Sequence, residues 1–368
     1  MKILLIQDWL RSGGTERQTV LLAHAFAAAG QTATLLTFRP GGALEPTLSP
    51  AVTRHVLQPF DLRLDWCAPG LGRYVARTSP DIVLCMGRMA NCYGSRIVQA
   101  THGQRPRPAV VGTMRTGKNL PWLFRRSLRR VHHVVANSAA AKSVLINRHG
   151  LSAGKVTVIY NSLVFPPAPS ARRNEHLRAA HGATPSTTVL LNVAMFRPEK
   201  NQRALVELAS ALPADFDWQL WLAGDGPARP ACAALARKLG LADRVKFLGF
   251  QADPSALYAA ADVAVHASRS ESLSNFVIEA QAHGLPAVAC EAQGLEECIV
   301  PEVTGTVVPH GRPDAFRAAI IKFAALDVAR RQQAADFART TFDPQRQIRA
   351  YLDLFSTLTG DKPAPPTP

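Results

Sequence analysis

The chain has 368 residues, 47% of them hydrophobic, and a formal net charge of +15. That length exceeds one ordinary core and predicts two domains, while the lack of any apolar run of 18 residues argues against a membrane-spanning helix. Residues 1–165 hold 21 Lys and Arg against six Asp and Glu, and the remainder holds 21 of each, so the whole excess sits in the first part.

Such a one-sided field predicts an anionic partner: a membrane surface, a phosphorylated lipid or a nucleic acid. The bland alternative is a solubilising, arginine-rich surface. The chain opens on Ile3-Leu4-Leu5-Ile6, too short for a signal peptide and followed at once by Gln7-Asp8. It reads as a buried strand, Lys2–Ile6, in a cytoplasmic protein. A turn at Ser12-Gly13-Gly14 leads to a helix over Thr15–Ala29, with Gly30 placed to end it. Thr32–Thr37, Asp81–Cys85, Ala109–Gly112 and Val131–Ala136 are further short strands. This β-α-β rhythm implies a parallel sheet with helices on both faces.

Phe165-Pro166-Pro167-Ala168-Pro169-Ser170 is proline-rich and reads as a linker, followed by a polar helical stretch over 171–181. The rhythm then restarts: strand Val189–Ala194, helix Asn201–Ala211, strand Trp218–Ala223, the turn Gly224-Asp225-Gly226 and a helix to Leu239. Val245–Leu248, Val263–His266, Pro286–Cys290 and Thr306–Val308 are the later strands, before helices over Pro313–Phe323, Ala329–Thr340 and Tyr351–Leu358. The fold class is therefore α/β: two doubly wound, Rossmann-like sheets facing a cleft. Residues 1–165 form the first domain, 166–187 a linker and 188–340 the second domain. A C-terminal helix over 341–358 returns to the first domain, and 359–368 form a disordered tail. Ligands of such sheets lie outside the carboxyl ends of the strands. The six cysteines contain no Cys-x-x-Cys pair and read as reduced fillers.

The chemistry concentrates in Glu271-Ser272-Leu273-Ser274-Asn275-Phe276-Val277-Ile278-Glu279, after the strand Val263–His266. Ser274 is a plausible N-cap, so a helix starts near Asn275 and the backbone N–H groups of Leu273, Ser274 and Asn275 are expected to be free. A helix start favours phosphate, and carboxylates accept hydrogen bonds from sugar hydroxyls. Eight helical steps span roughly 12 Å, about the reach of a nucleotide-sugar. Two glutamates eight apart are common by chance, and the bland reading is a loop Glu plus a surface helix Glu. What makes the stretch specific is its continuation, Ala280-x-x-x-Gly284-Leu285-Pro286-x-Val288.

This stretch resembles the signature of the GT-B fold retaining glycosyltransferases of the glycosyltransferase 4 group, Glu-x7-Glu followed by Ala-x-x-x-Gly-x-Pro-x-Val. Arg197-Pro198-Glu199-Lys200-Asn201 resembles the family's Arg-x-x-Lys-Asn loop, where two cations at a strand end would offset a leaving diphosphate. Leu222-Ala223-Gly224-Asp225-Gly226 resembles its glycine turn. Gly249-Phe250 is similar to the segment beside the nucleobase, and Val158-Ile159-Tyr160-Asn161-Ser162 to the end of its first domain. Gly13-Gly14-Thr15-Glu16-Arg17 resembles its N-terminal phosphate or acceptor loop. Arg115 stands near a position where relatives often carry a His, and is read as a contact to donor phosphate or to an anionic acceptor, or as part of the basic surface.

The resemblance implies transfer of a sugar from a UDP- or GDP-linked donor to a glycan or lipid-linked acceptor of cell-surface polysaccharide, lipopolysaccharide or glycolipid, with retention. Glu271 would orient the hexose and Glu279 the ribose, while Arg197 and Lys200 stabilise the departing diphosphate and the amides at Leu273, Ser274 and Asn275 hold it. No cofactor and no metal are expected. Asp215-Phe216-Asp217 spells a metal signature of another fold but precedes its strand, away from the carboxyl end. Rival readings are a nucleotide-sugar epimerase on the same fold and a non-enzymatic membrane or nucleic-acid binder. Pro121-Trp122-Leu123-Phe124-Arg125-Arg126-Ser127-Leu128-Arg129-Arg130 is the focus of the basic half. Its pattern suits contact with the anionic inner face of a membrane, or a core helix.

Overall fold

Four apolar residues in succession suit a strand covered on both faces. Ile3–Ile6 form the buried centre of β1 (Lys2–Gln7), flanked in parallel by β2 (Thr32–Thr37) and β4 (Ile82–Cys85). The computed structural model describes residues 1–165, 173–325 and 328–360. The proline-rich core of the expected linker (166–172) and the tail beyond residue 360 lie outside the described residues. The chain divides into two units, Met1–Ser162 with Pro344–Pro368, and Leu163–Asp343.

In the first unit α1 (Gly14–Ala28) joins β1 to β2. There follow β3 (Thr53–Val56), α2 (Leu71–Thr78), β4, α3 (Arg88–Ala100), β5 (Ala109–Met114), α4 (Trp122–Arg130), β6 (His133–Ala136), α5 (Ala139–Asn147) and β7 (Val156–Val158). The sheet order is β3-β2-β1-β4-β5-β6-β7, all parallel. The order reverses between β1 and β4, and at such a switch point the strand ends leave a crevice. Sequence patterning misses β3, because an edge strand reading Thr-Arg-His-Val has no apolar face to betray it. It also misses α3, whose interior Gly94 looks like a helix breaker. A Cβ there would lie 2.7 Å from the Ser127 hydroxyl and 2.8 Å from Val131, so the glycine lets α3 and α4 meet closely.

The second unit runs α6 (Glu175–Ala180), β8 (Thr188–Val193), α7 (Gln202–Ala209), β9 (Trp218–Ala223), α8 (Arg229–Lys238), β10 (Val245–Gly249), α9 (Ser255–Ala260), β11 (Val263–His266), α10 (Asn275–Ala282), β12 (Ala287–Cys290), β13 (Gly305–Val308), α11 (Pro313–Ala324) and α12 (Val328–Thr341). Its parallel sheet has the order β10-β9-β8-β11-β12-β13, with the switch point between β8 and β11. Residues 173–187, expected as linker, are instead built into this unit. Arg178 of α6 is fully buried and bonded to Asp262, to the Ala260 carbonyl and to the carbonyls of Thr184 and Thr187. A charged side chain that deep needs partners from the fold itself.

The C-terminal helix α13 (Pro344–Thr359) belongs to the first unit. Its Tyr351 and Phe355 pack on Phe26 of α1 with ring centroids 6.0 and 5.6 Å away. All six cysteines are free thiols; Cys85, Cys232, Cys290 and Cys298 are buried, whereas Cys67 and Cys92 are half-exposed.

Candidate functional site

Because β8 and β11 are neighbours in a parallel sheet, the loops that leave them emerge side by side. The loop after β8 is anchored by Phe196, which is fully buried. It then makes a 3-10 turn over Pro198–Lys200 that Asn201 ends in the left-handed region, φ 54°. The Asn201 amide reaches across to the Ala267 carbonyl at 3.1 Å. From the other loop, the Arg269 N–H and the Ser268 hydroxyl both donate to the Glu199 carbonyl, at 2.9 and 3.0 Å. Two stretches about seventy residues apart are thereby laced into one ridge.

On that ridge Lys200 Nζ donates to Glu271 Oε1 at 2.6 Å, and His266 Nε2 lies 3.0 Å from the same oxygen. An ionised carboxylate only accepts, so Nε2 carries the proton; Nδ1 of this buried ring has no partner among the described residues. Burial pushes the Glu271 carboxyl up, but the bonds and charges of His266 and Lys200 outweigh it and hold the group at about 2. The stabilisation this carboxylate contributes is therefore complete above its ordinary value of 4.5 and lost as pH falls toward 2. Carbon-13 titration of Glu271 should show protonation near pH 2 in the native chain and at a higher pH in His266→Leu. Identical titration curves would remove His266 from the site.

Sequence patterning passes over His266, which looks like the last residue of an apolar strand. It also treats Lys200 and Glu271 as separate contacts, whereas they form one ion pair. Arg197 stays exposed, with no side-chain bond among the described residues.

Ser274 caps α10, its hydroxyl accepting from the Val277 N–H at 3.5 Å. Leu273 is buried and Asn275 half-exposed. One turn on, Glu279 Oε2 accepts from the Tyr258 hydroxyl at 2.8 Å. The Tyr258 ring stacks on His283 at 4.7 Å, and His283 Nδ1 lies 2.9 Å from the Glu279 carbonyl. Tyr258, which no local pattern marks, thus holds the second glutamate in place. Burial, followed by the neighbouring Glu279, pushes the Tyr258 hydroxyl well above its ordinary range, so at neutral pH it remains a donor.

Gly224 and Gly226 are structural. Their φ values are 133° and 146°, and a Cβ would lie 2.0 Å from the Ala194 carbonyl and 2.4 Å from that of Phe196. They let the turn after β9 press against the loop that carries Arg197. Gly249, at φ 69°, ends β10 with open space beside it, and Phe250 follows, 65% exposed. Asp217 accepts from the Thr187 hydroxyl at 2.8 Å, which ties the strand start rather than a ligand.

Gly13, Gly14 and Arg115 all lie in the first unit. Gly13 is the N-cap of α1, at the carboxyl end of β1. The Arg115 guanidinium bonds to Asn161 and, at 2.7 Å, to the Tyr351 hydroxyl of α13. Nearby, Asp8 takes the N–H groups of Met89 and Ala90 at 2.9 and 2.7 Å, and burial, ahead of these bonds, raises its carboxyl to about 6.

Residues 12–163 match the model of the Glycosyltransferase Family 4 domain, and residues 187–325 that of Glycosyl transferases group 1. The lipopolysaccharide core biosynthesis glycosyltransferase LpsE of Rhizobium meliloti is 32% identical over 175 residues, 48% of this chain and 50% of that protein. The D-inositol 3-phosphate glycosyltransferase of Mycolicibacterium gilvum is 29% identical over 239 residues, 62% of this chain and 52% of that protein. The chain spans about half the length of the curated relatives it matches. In fold it is similar to HepE of Anabaena, solved in complex with UDP, with a TM-score of 0.78 and 24% identity over 97% of this chain and all of that one.

Proposed function

Because this chain belongs to the GT-B glycosyltransferases built from a Family 4 domain and a group 1 domain, we propose that it transfers a hexose from a nucleotide-diphosphate donor to a glycan or lipid-linked acceptor. The observation that carries this reading is the Lys200–Glu271–His266 cluster at the β8/β11 switch point. A carboxylate kept ionised there can take hexose hydroxyls, while Glu279, steadied by Tyr258, takes the ribose. Arg197 and Lys200 face the charge that grows on the diphosphate. The anomeric carbon–phosphate oxygen bond breaks as the acceptor oxygen bonds to the same face of that carbon. The acceptor proton passes to the leaving phosphate oxygen, and configuration is retained. These two cations let the reaction run without a metal. Relatives named for lipopolysaccharide core synthesis favour a cell-surface polysaccharide or glycolipid product.

A UDP and GDP thermal-shift series tests the donor half. The correct nucleotide at a hundred times its Kd adds ~2.7 kcal/mol, and Glu279→Ala weakens it about tenfold. If neither nucleotide raises the melting temperature, the donor reading is lost. Loss of activity in EDTA, restored by Mn²⁺, would overturn metal independence.

The basic first half directs the same reading to an anionic membrane surface. No helix among the described residues is long and apolar enough to cross a membrane. On α4, however, Trp122 and Leu123 are 59% and 50% exposed beside Arg125, Arg126, Arg129 and Arg130, while Phe124 and Leu128 face the core. Exposed apolar groups set among arginines suit a lipid interface.

A further inference from the structure

Between β3 and α2 the chain reads Phe60-Asp61-Leu62-Arg63-Leu64-Asp65-Trp66, and this loop pairs its carboxylates while it displays its apolar groups. Both carboxylates are partly exposed, with 38% and 34% of their side-chain surface open, and both are tied to arginine. The nearly buried Arg39 guanidinium grips Asp61 at 2.8 and 2.9 Å and Asp65 at 2.5 Å, while Arg11 also pairs with Asp65. Both arginines lie over the Trp9 ring, Arg39 at 4.0 Å and Arg11 at 5.3 Å. The loop's apolar side chains turn outward: Phe60 is 66% exposed and Trp66 57%, with Leu62 and Leu64 between them at 38% and 37%.

The display is held rigid. Gln58 donates to the carbonyls of Leu64 and Cys67 at 2.8 Å and accepts from the Leu62 N–H. The Tyr93 hydroxyl of α3 donates to the Trp66 carbonyl at 2.7 Å. A solvated loop has no need of such a scaffold, and clustered exposed apolar groups mark an interaction surface.

The surroundings identify the partner. Tyr93 carries Arg96 over its ring at 5.4 Å. Arg88 and Arg96 of α3 are exposed, and α3 packs against α4, whose start shows Trp122 and Leu123. From Ile82 to Asn174 the chain contains no Asp or Glu. Two apolar knuckles thus flank an acid-free arginine surface, which complements an anionic bilayer.

We propose that residues 60–66 are a preformed anchor that seats Phe60, Leu62, Leu64 and Trp66 in the interface of an anionic lipid bilayer. The anchor rests on the membrane reading above and gives it a second point of contact, independent of α4. Apolar side chains supply depth, and the arginines supply the preference for anionic headgroups.

The test is co-sedimentation of the full chain with phosphatidylcholine vesicles, with and without phosphatidylglycerol, at low and high salt. Native protein should bind only the mixed vesicles and be released by salt. Phe60→Ser/Trp66→Ser should weaken that binding about tenfold while its salt dependence is unchanged. Both positions are exposed, and a cooperative thermal melt at the native temperature confirms that the variant is folded. A folded variant that sediments like the native chain overturns the anchor, as does native protein that binds neither vesicle. If vesicles bind and no nucleotide does, the anchor stands and the transferase reading falls. If a nucleotide binds and no vesicle does, the transferase reading stands and the anchor falls.

Discussion

Glu271→Ala is expected to lower turnover about a hundredfold to a thousandfold while changing nucleotide affinity only a few fold, read from single-substrate kinetics beside a UDP melting series. The size follows from the proposed role, in which this charged group takes the hydroxyls of the reacting sugar. The split follows from geometry: Glu271 sits on the ridge with Lys200 and His266, whereas Glu279 sits one turn into α10 with Tyr258. Removing Glu271 leaves the Tyr258–Glu279 pair intact, so the nucleoside end keeps its holder. Lys200 loses its partner and remains available to diphosphate, which offsets part of the cost in binding. Glu271→Gln keeps the shape and deletes the charge. It should be almost as slow, because a neutral amide neither draws Lys200 into place nor accepts from His266 as strongly. Turnover within threefold of native in both variants would remove Glu271 from the catalytic site.

Much of this arrangement is legible in the sequence, and the illegible part has a physical reason. Ser274 as a cap, the helix from Asn275 and the Arg197–Lys200 loop are local features, and local chemistry fixes them. What brings Lys200 to Glu271 is the adjacency of β8 and β11, and strand order is not written in any short window. His266 and Tyr258 escape notice for the same reason, since each has an ordinary local setting and gains meaning from a neighbour across the sheet. Arg115 is a further case: no local window shows its bond to Tyr351 of the C-terminal helix, more than two hundred residues away. Local patterning likewise cannot show that Asp61 and Asp65 share one cation, because their partner Arg39 comes from the segment after β2.

The other large effect is on stability and lies away from the chemistry, where Asp262 begins the turn into β11. Its side chain is 8% exposed. Oδ2 accepts from Arg178 at 2.9 Å and from the Val189 N–H at 2.8 Å, and Oδ1 accepts from Arg173 at 3.1 Å. One carboxylate thus neutralises a fully buried guanidinium and ties α6 to the start of β8. Asp262→Ala leaves Arg178 charged and buried, and breaking such a pair costs about 3–5 kcal/mol. For a unit of this size, that corresponds to a fall in melting temperature of ~10 °C or more. Removing both partners is less harmful than removing one, because the penalty belongs to the stranded charge rather than to the lost bond. Asp262→Leu/Arg178→Met should therefore melt above Asp262→Ala, and the double-mutant cycle should give a coupling well outside additivity. If the single variant melts within a degree or two of the native chain, Arg178 has found another counter-charge. Glu175, whose carboxylate lies 3.5 Å from Arg178 Nε and is half-exposed, is the group to delete next.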